Sequence, residues 1–252
     1  MPSRLSALLA AGLLAAFTAS AQDTDPDLMQ KKLRFETKLT RPVSTSYLLY
    51  LPKTYDAKAA KKWPLILFLH GSGERGADLA KVAIHGPPKL AKQKQDFEFI
   101  IVSPQCAAGR HWDNDTLLAL LDDVIATHAV DTRRVYLTGL SMGGFGTWDL
   151  GLAHPDRFAA IAPICGGGDP LHAILPDPKK AAALKTLPIW VFHGAKDPVV
   201  GLSESERMVG AVKRAGCKDV QLTVYPEALH DSWSETYLNP KLYEWFLSHA
   251  RK

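Results

Sequence analysis

The chain has 252 residues, of which 46% are hydrophobic and 22% are charged, and its formal net charge at pH 7 is +4. This composition is typical of a globular protein and excludes a disordered tail, a collagen-like repeat and a coiled-coil rod. The lysines and arginines are scattered rather than gathered into a run, so we expect no nucleic-acid partner.

The first 21 residues have the pattern of a secretory signal peptide. Arg4 precedes an apolar run from Leu5 to Phe17, and the small residues Ala19-Ser20-Ala21 follow it. A basic start, an apolar segment of this length and an A-x-A site are the three parts of such a peptide. The pattern predicts cleavage after Ala21 and export to the periplasm or the medium. No other apolar run has the length of a membrane span, so we expect no membrane anchor.

The predicted strands come next along the chain. Polarity alternates from Phe35 to Leu39 and from Tyr47 to Leu51, which predicts an antiparallel strand pair near the N-terminus. Continuous apolar runs, typical of strands buried on both faces, then recur. They are Trp63 to Leu69, Phe99 to Val102, Val135 to Leu137, Ala159 to Ala162, Ile189 to Phe192 and Val220 to Val224.

Helical periodicity separates these runs. One predicted helix spans Leu117–Ile125, another begins at a capping box in Ser203–Glu206, and a third closes the chain around Tyr243–Leu247. Strands alternating with helices predict an α/β fold with a mostly parallel central sheet and helices on both of its faces. We find no linker or repeat, so residues 22–252 are expected to form a single catalytic domain.

A candidate nucleophile lies in Gly139-Leu140-Ser141-Met142-Gly143, which matches the pattern G-x-S-x-G. A sharp turn from a strand into a helix lifts the serine hydroxyl clear of the sheet, and the crowding in that turn requires glycines on either side. A buried predicted strand runs into this segment and a predicted helix leaves it. The pattern therefore predicts Ser141 as a nucleophile. The backbone N–H of Met142, at the helix start, is a candidate donor to an oxyanion.

A serine hydroxyl needs a base to accept its proton. The usual order along the chain for this turn is serine, then acid, then histidine. His230 is favoured because it follows the last predicted strand, at the carboxyl edge of the sheet where catalytic groups gather. The remaining histidines after Ser141 are His154, His172, His193 and His249. We interpret His193, at a strand end, as bonding the backbone.

The acid that orients the base is expected at the same sheet edge. Asp197 follows the strand that precedes the last one, and we favour it on that ground. Asp169, one strand earlier, is the neighbouring candidate. Asp231 adjoins His230 in sequence, but successive side chains diverge, so its carboxylate is expected to point elsewhere.

The segment His70–Gly76 is a glycine-rich loop after the first buried strand. Such a loop can direct a backbone N–H at the neighbouring site, and Ser72 is the expected oxyanion donor, with Gly73 as the alternative. We interpret His70 and Arg75 as residues that shape the loop. The loop lacks the spacing of a phosphate-binding loop.

No cofactor or metal is expected. The three cysteines, Cys106, Cys165 and Cys217, lack C-x-x-C spacing, and no H-E-x-x-H motif is present. Export would permit a disulfide between Cys106 and Cys165, but the strand that carries the nucleophile should lie between theirs, which disfavours the pair.

With these motifs the chain resembles the α/β-hydrolase superfamily. It is most similar to the secreted carboxylesterases grouped with polyhydroxybutyrate depolymerases, feruloyl and acetylxylan esterases, and dienelactone-hydrolase-like and prolyl-oligopeptidase-like catalytic domains. The resemblance implies an α/β-hydrolase fold and a serine esterase without a cofactor. It gives Ser141, Asp197 and His230 the roles of nucleophile, acid and base. It also implies that the backbone N–H groups of Ser72 and Met142 are the donors to the oxyanion. The segments that carry it are LHGSGERG at Leu69–Gly76, SPQC at Ser103–Cys106, RVYLTGLSMGG at Arg134–Gly144, APICGGGD at Ala162–Asp169, HGAKD at His193–Asp197 and LHDSW at Leu229–Trp233.

The predicted function is an exported serine carboxylic-ester hydrolase that works through an acyl-enzyme. A serine peptidase or amidase, a polyester depolymerase and a non-catalytic binding protein on the same fold are the alternatives, in that order. Trp112 and Trp233, with His85 and His111, lie in segments expected to surround the pocket. They suit a small-molecule or oligosaccharide ester, and packing at the rim explains them equally well. The oligomeric state is not predicted.

Overall fold

The computed structural model describes residues 34–38, 40–93 and 96–251. The predicted signal peptide lies outside the described residues. The chain divides into two compact units, residues 1–42 and residues 43–252. The described residues of the first unit form no helix or strand, so the strand predicted at Phe35 to Leu39 is absent from residues 35–38. Phe35 is 86% exposed, so the apolar side of the alternation is not buried at this residue, and strand propensity depends on such burial.

One sheet of seven strands organises the described part of the second unit. All the strands predicted from Tyr47 onward are found, most of them within two residues of the expected ends. The strands are β1 (Tyr47–Tyr50), β2 (Trp63–Leu69), β3 (Ile100–Pro104), β4 (Val130–Leu140), β5 (Ala160–Ile164), β6 (Ile189–Gly194) and β7 (Val220–Tyr225).

The strand order across the sheet is β1-β3-β2-β4-β5-β6-β7. From β3 to β7 every pair is parallel, whereas β1 pairs with β3 antiparallel, with Tyr47 opposite Pro104. An antiparallel strand pair is therefore present, as predicted, but β1 pairs with β3 and not with the segment that begins at Phe35. Because the six parallel strands run in one direction, their carboxyl ends meet at one edge of the sheet.

Helices cover both faces of this sheet, as predicted. They are α1 (Gly86–Lys92), α2 (Asn114–Thr127), α3 (Met142–Ala153), α4 (Leu171–Ile174), α5 (Ala181–Thr186), α6 (Leu202–Arg214), α7 (Trp233–Leu238) and α8 (Pro240–Leu247). Among the described helices, none has the length and apolar character needed to cross a membrane.

The side chains of β2 divide between two hydrophobic cores, because successive residues of a strand point to opposite faces. Leu65, Leu67 and Leu69 belong to the core shared with α2, α3 and α6. Ile66 and Phe68 belong to the core shared with α1, α7 and α8. All five side chains are fully buried, and each contributes about 1.5–3 kcal/mol by leaving water. This double burial explains the continuous apolar run in the sequence.

Helix α6 begins differently from the prediction. It starts at Leu202 after Gly201, so Ser203 is already helical and makes no cap, and the predicted capping box is wrong. A capping box requires its serine at the non-helical position before the helix. Ser205, within the same segment, is fully buried instead.

Candidate active site

The residue at the end of β4 has an unusual backbone conformation. Ser141 has φ 52° and ψ −117°, and α3 begins at the next residue. The left-handed region is costly for a residue with a side chain and is found where a surrounding structure requires it. The flanking glycines explain how the chain fits there, because a Cβ on Gly143 would lie 2.0 Å from the carbonyl oxygen of Leu69, and one on Gly139 would lie 2.4 Å from the carbonyl oxygen of Gly143. The G-x-S-x-G spacing thus reflects backbone crowding at the turn.

Three side chains that are distant in sequence form a hydrogen-bonded chain at the carboxyl edge of the sheet. The Nε2 atom of His230 lies 2.9 Å from the Oγ atom of Ser141, and its Nδ1 atom lies 2.7 Å from Oδ2 of Asp197. An ionised carboxylate only accepts, so Nδ1 of His230 donates and Nε2 is left to accept the hydroxyl proton. This is the arrangement in which a base can activate a serine hydroxyl.

The carboxylate of Asp197 is buried and held on both oxygens. Its side chain is 0% exposed, and Oδ1 accepts hydrogen bonds from the backbone N–H groups of Val199 at 2.8 Å and Val200 at 2.9 Å. Burial alone would raise the pKa of Asp197, but the hydrogen bonds from His230, Val200 and Val199 favour the ionised form, and the net pKa is lowered. Asp197 is therefore ionised at neutral pH, and its negative charge lies next to the ring of His230.

The other candidate acids and bases have partners elsewhere. Asp169 and Asp231 are exposed, and Oδ1 of Asp169 accepts from the backbone N–H of Leu171. Nδ1 of His154 lies 3.0 Å from Nζ of Lys180, at the end of α3. His172 pairs with Asp149, and His249 contacts Asp219 and the carbonyl of Trp245.

His193 makes the backbone contact predicted for it, and it also contacts two side chains. Its Nε2 atom does contact the Val200 carbonyl at 2.8 Å, but it also lies 3.3 Å from Oδ2 of Asp197, and its Nδ1 atom contacts the Ser205 hydroxyl at 2.7 Å. The spacing of four residues between His193 and Asp197 at a strand end is the sequence feature that could have indicated this contact.

The glycine-rich loop after β2 is fixed by hydrogen bonds to backbone atoms. Nδ1 of His70 donates to the carbonyl of Gly71 at 2.6 Å, and Nε2 accepts from the N–H of Cys106 at 3.0 Å. Burial lowers the pKa of His70, so the ring stays neutral. Arg75 donates to the carbonyls of Ser72 and Arg110. Both residues make the contacts expected of loop-shaping residues.

The two predicted oxyanion donors lie in adjoining segments of this edge. Ser72 begins a 3-10 turn, Ser72–Glu74, which β2 reaches through His70 and Gly71, and Met142 is the first residue of α3. Strands β2 and β4 are neighbours, so these two segments leave the sheet side by side. Helix starts present unpaired N–H groups. The assignment of the Ser72 and Met142 N–H groups to an oxyanion stays a prediction.

Trp112 and Trp233 have different surroundings. Trp233 lies edge-to-face against His230, with ring centroids 5.2 Å apart, and its other neighbour is His85 at 5.4 Å. Trp112 donates to the carbonyl of His70 and packs against the His70 ring, with the ring centroids 4.7 Å apart. Of the two predicted pocket residues, Trp233 is the one beside the candidate base. His111 is exposed.

The cysteines are free and buried, so the disfavoured disulfide between Cys106 and Cys165 is not formed. The strands that they follow, β3 and β5, are separated in the sheet by β2 and by β4, which carries Ser141. Burial raises the pKa of Cys165 to about 12. Within the described ranges, no three side chains of histidine, cysteine, aspartate or glutamate form a group that could hold a metal ion.

Comparison with known proteins identifies one family and several relatives. A family model described as phospholipase/carboxylesterase matches residues 97–239. The chain is 28% identical over 145 residues to poly(3-hydroxyalkanoate) depolymerase C of Paucimonas lemoignei, which covers 51% of this chain and 33% of the relative. It is 28% identical over 157 residues to a bifunctional acetylxylan esterase/xylanase of Neocallimastix patriciarum, covering 57% of this chain and 20% of that protein.

Among solved structures, a thermostable esterase superposes with a TM-score of 0.63 at 32% sequence identity, over 81% of this chain and 59% of that one. Of the two curated relatives named above, the chain spans about a third of the depolymerase and a fifth of the bifunctional enzyme.

Proposed function

Because the chain belongs to the phospholipase/carboxylesterase family, we propose that it is an esterase of the α/β-hydrolase type that hydrolyses carboxylic esters through Ser141, His230 and Asp197. The observation that carries this proposal is the pair of contacts made by His230, 2.9 Å to Ser141 Oγ and 2.7 Å to Asp197 Oδ2. Both contacts lie in the range over which a base can accept a proton from a nucleophile and be held by an acid.

In the first half of the proposed reaction, Ser141 forms an acyl-enzyme. The hydroxyl proton passes to Nε2 of His230 as Oγ bonds to the ester carbonyl carbon. The carbonyl electron pair moves onto oxygen, and the N–H groups of Ser72 and Met142 stabilise that charge. The tetrahedral adduct then expels the alcohol, which takes the proton from His230.

In the second half, water replaces the alcohol. His230 accepts a proton from the water as the water oxygen bonds to the acyl carbon. The proton then passes to Ser141 Oγ when the carboxylic acid leaves. In both halves the charged ring of His230 is stabilised by Asp197. The low pKa of Asp197 supports this role, because the carboxylate keeps its charge at neutral pH.

We further propose an ester of a small alcohol or an oligosaccharide as the substrate. The exposed edge of the site is compatible with such a group, since Trp233 adjoins His230 and an aromatic ring suits a sugar or phenolic group. The names of the acetylxylan esterase and the depolymerase favour carbohydrate and hydroxyalkanoate esters among the candidates. The same three residues also serve amide hydrolysis, so a peptidase is the alternative.

Two measurements test this function. Incubation with a serine-directed fluorophosphonate should label Ser141, as located by peptide mass spectrometry, and a label on another serine would overturn the assignment of the nucleophile. Turnover should then be compared for p-nitrophenyl, feruloyl, acetylxylan and hydroxybutyrate esters and for a p-nitroanilide with the same acyl group. Faster hydrolysis of the anilide than of its matched p-nitrophenyl ester would establish the peptidase alternative instead.

Export is also proposed, from the pattern of residues 1–21. Expression of the full chain in a bacterial host should give a protein in the periplasm or the medium whose first residue is Gln22. Recovery in the cytoplasm with residues 1–21 still attached would contradict the proposal.

A further inference from the structure

A buried network extends from the candidate acid away from the substrate side of the site. His193 is the fifth residue of β6, and Ser205 lies one turn into α6; both residues are 0% exposed. Neither can touch a substrate, and the mechanism above does not use them. Buried polar side chains are costly unless they are hydrogen-bonded, so their partners are informative.

The partners define the protonation of His193. A carbonyl only accepts, so Nε2 of His193 carries the proton and donates to the Val200 carbonyl at 2.8 Å. Nδ1 then accepts from the hydroxyl of Ser205 at 2.7 Å. The same hydroxyl lies 3.3 Å from the carbonyl of Gly166, which follows the end of β5. Ser205 therefore fixes the orientation of the His193 ring, while the Val200 carbonyl fixes Nε2 as a nitrogen that carries a proton.

The ring of His193 contacts the turn that holds Asp197 at two points. Its Nε2 atom lies 3.3 Å from Oδ2 of Asp197, the oxygen that accepts from His230. Val200 takes part twice, since its carbonyl accepts from His193 and its N–H donates to Oδ1 of Asp197. Hence His193 contacts one carboxylate oxygen directly and the other through Val200.

We propose that His193 and Ser205 are positioning residues for the carboxylate: Ser205 orients His193, and His193 sets the rotamer of Asp197 and thereby the ring of His230. The proposal rests on the proposed function, because it gives Asp197 the role of orienting the base. A displacement of about 1 Å in a catalytic group can reduce turnover about 10²-fold, so a fully buried pair can matter for the reaction.

The variants follow from the chemistry of the contacts. His193→Leu removes both ring nitrogens and should lower kcat by about 10²-fold with little change in KM. His193→Gln keeps an N–H group at the reach of Nε2 and should recover most of that loss. Ser205→Ala should cost less than His193→Leu, because it loosens the ring without removing the donor. Two matched controls should leave kcat unchanged. Ser103→Ala changes another buried serine, and His249→Leu changes a histidine that contacts Asp219, the residue before β7.

A double-mutant cycle separates positioning from a loss of general stability. In an Asp197→Asn background, His193→Leu should cost less than about threefold in kcat, because the carboxylate through which it acts is gone. Equal losses in both backgrounds would overturn the proposal, and so would a His193→Gln variant as impaired as His193→Leu. If His193→Leu does not fold, the same cycle with Ser205→Ala decides the question.

A spectroscopic measurement gives a second readout. The proton NMR signal of the His230 Nδ1–H group reports its hydrogen bond to Asp197, and it should shift upfield in Ser205→Ala but not in Ser103→Ala. An unchanged signal together with unchanged kcat in Ser205→Ala would overturn the proposal. Failure of the proposed function is a separate result, because Ser141→Ala would then retain activity in the otherwise unmodified protein.

Discussion

Ser141 and His230 are separated by 89 positions in the chain, yet Oγ of Ser141 lies 2.9 Å from Nε2 of His230. The two residues follow β4 and β7, which are separated in the sheet by β5 and β6. Loops at the carboxyl ends of those strands bridge the gap. The proposed reaction depends on this contact, so removal of the Ser141 hydroxyl has a defined consequence.

The first prediction concerns the hydroxyl of Ser141. Ser141→Ala should reduce kcat/KM for a p-nitrophenyl ester by at least about 10³-fold, because it removes the oxygen on which the acyl-enzyme forms. The melting temperature should not fall, since the side chain is only partly buried. Ser203→Ala, which changes an exposed serine in α6, is the control. Retention of more than about a tenth of the activity would contradict the assignment.

The second prediction distinguishes the two carboxylates considered from the sequence. Asp197→Asn keeps the shape of the side chain but favours the wrong tautomer of His230, and kcat should fall roughly 10⁴-fold. Asp169→Asn should change kcat little, because Asp169 is exposed and bonds the backbone of Leu171. Steady-state kinetics on both purified variants would check this, and the opposite ranking would move the acid to Asp169.

The third prediction concerns the crowded turn. Gly143→Ala should lower the free energy of unfolding by about 3 kcal/mol or more, because the new Cβ meets the Leu69 carbonyl oxygen at 2.0 Å and backbone cannot move aside cheaply. Gly210→Ala in α6 is the matched control. Its Cβ meets only the flexible end of Arg214, so the helix should gain up to about 1 kcal/mol. Urea unfolding of the two variants measures both effects.

The fourth prediction concerns acid stability through His70. The pKa of His70 is lowered by burial, so the unfolded chain binds a proton at a higher pH than the folded chain does. The stability that comes from its neutral ring is complete above the unfolded pKa of about 6.5. It is lost as pH falls from there through the folded pKa, with a slope of at most about 1.4 kcal/mol per pH unit.

This slope can be measured by urea unfolding between pH 8 and pH 5. His70→Gln should show a shallower decrease of the unfolding free energy with falling pH than the unmodified protein. His111→Gln, which replaces an exposed histidine, should keep the original slope. Equal slopes for all three proteins would show that His70 does not contribute to the pH dependence.

The fifth prediction concerns metal ions. The proposed reaction obtains its electrophilic help from the backbone N–H groups of Ser72 and Met142, so EDTA should leave the rate of ester hydrolysis unchanged. A loss of activity that zinc or calcium restores, at an unchanged melting temperature, would contradict the metal-free mechanism. A parallel decrease in melting temperature would indicate a structural ion.

The local elements of this protein could be read from the sequence because their causes are local. A strand buried on both faces needs a continuous apolar run, as in Trp63–Leu69, and the turn around Ser141 needs glycines where a Cβ would meet backbone. Both requirements act over a few residues and leave a pattern in the sequence. The alternation at Phe35 to Leu39 shows the limit of this reasoning, because the pattern alone does not supply a partner strand.

The convergence of side chains was decided by the tertiary structure. Asp169 and Asp197 each follow a buried strand, and the sequence favoured Asp197 only through the order of the strands. In the structure Asp197 contacts His230, and the N–H groups of Val199 and Val200 hold its carboxylate. The partner of β1 and the contact of His193 with Asp197 likewise depend on strand order and on the paths of loops. These are contacts between residues far apart in the chain or across a turn, and hydrophobic periodicity carries no information about them.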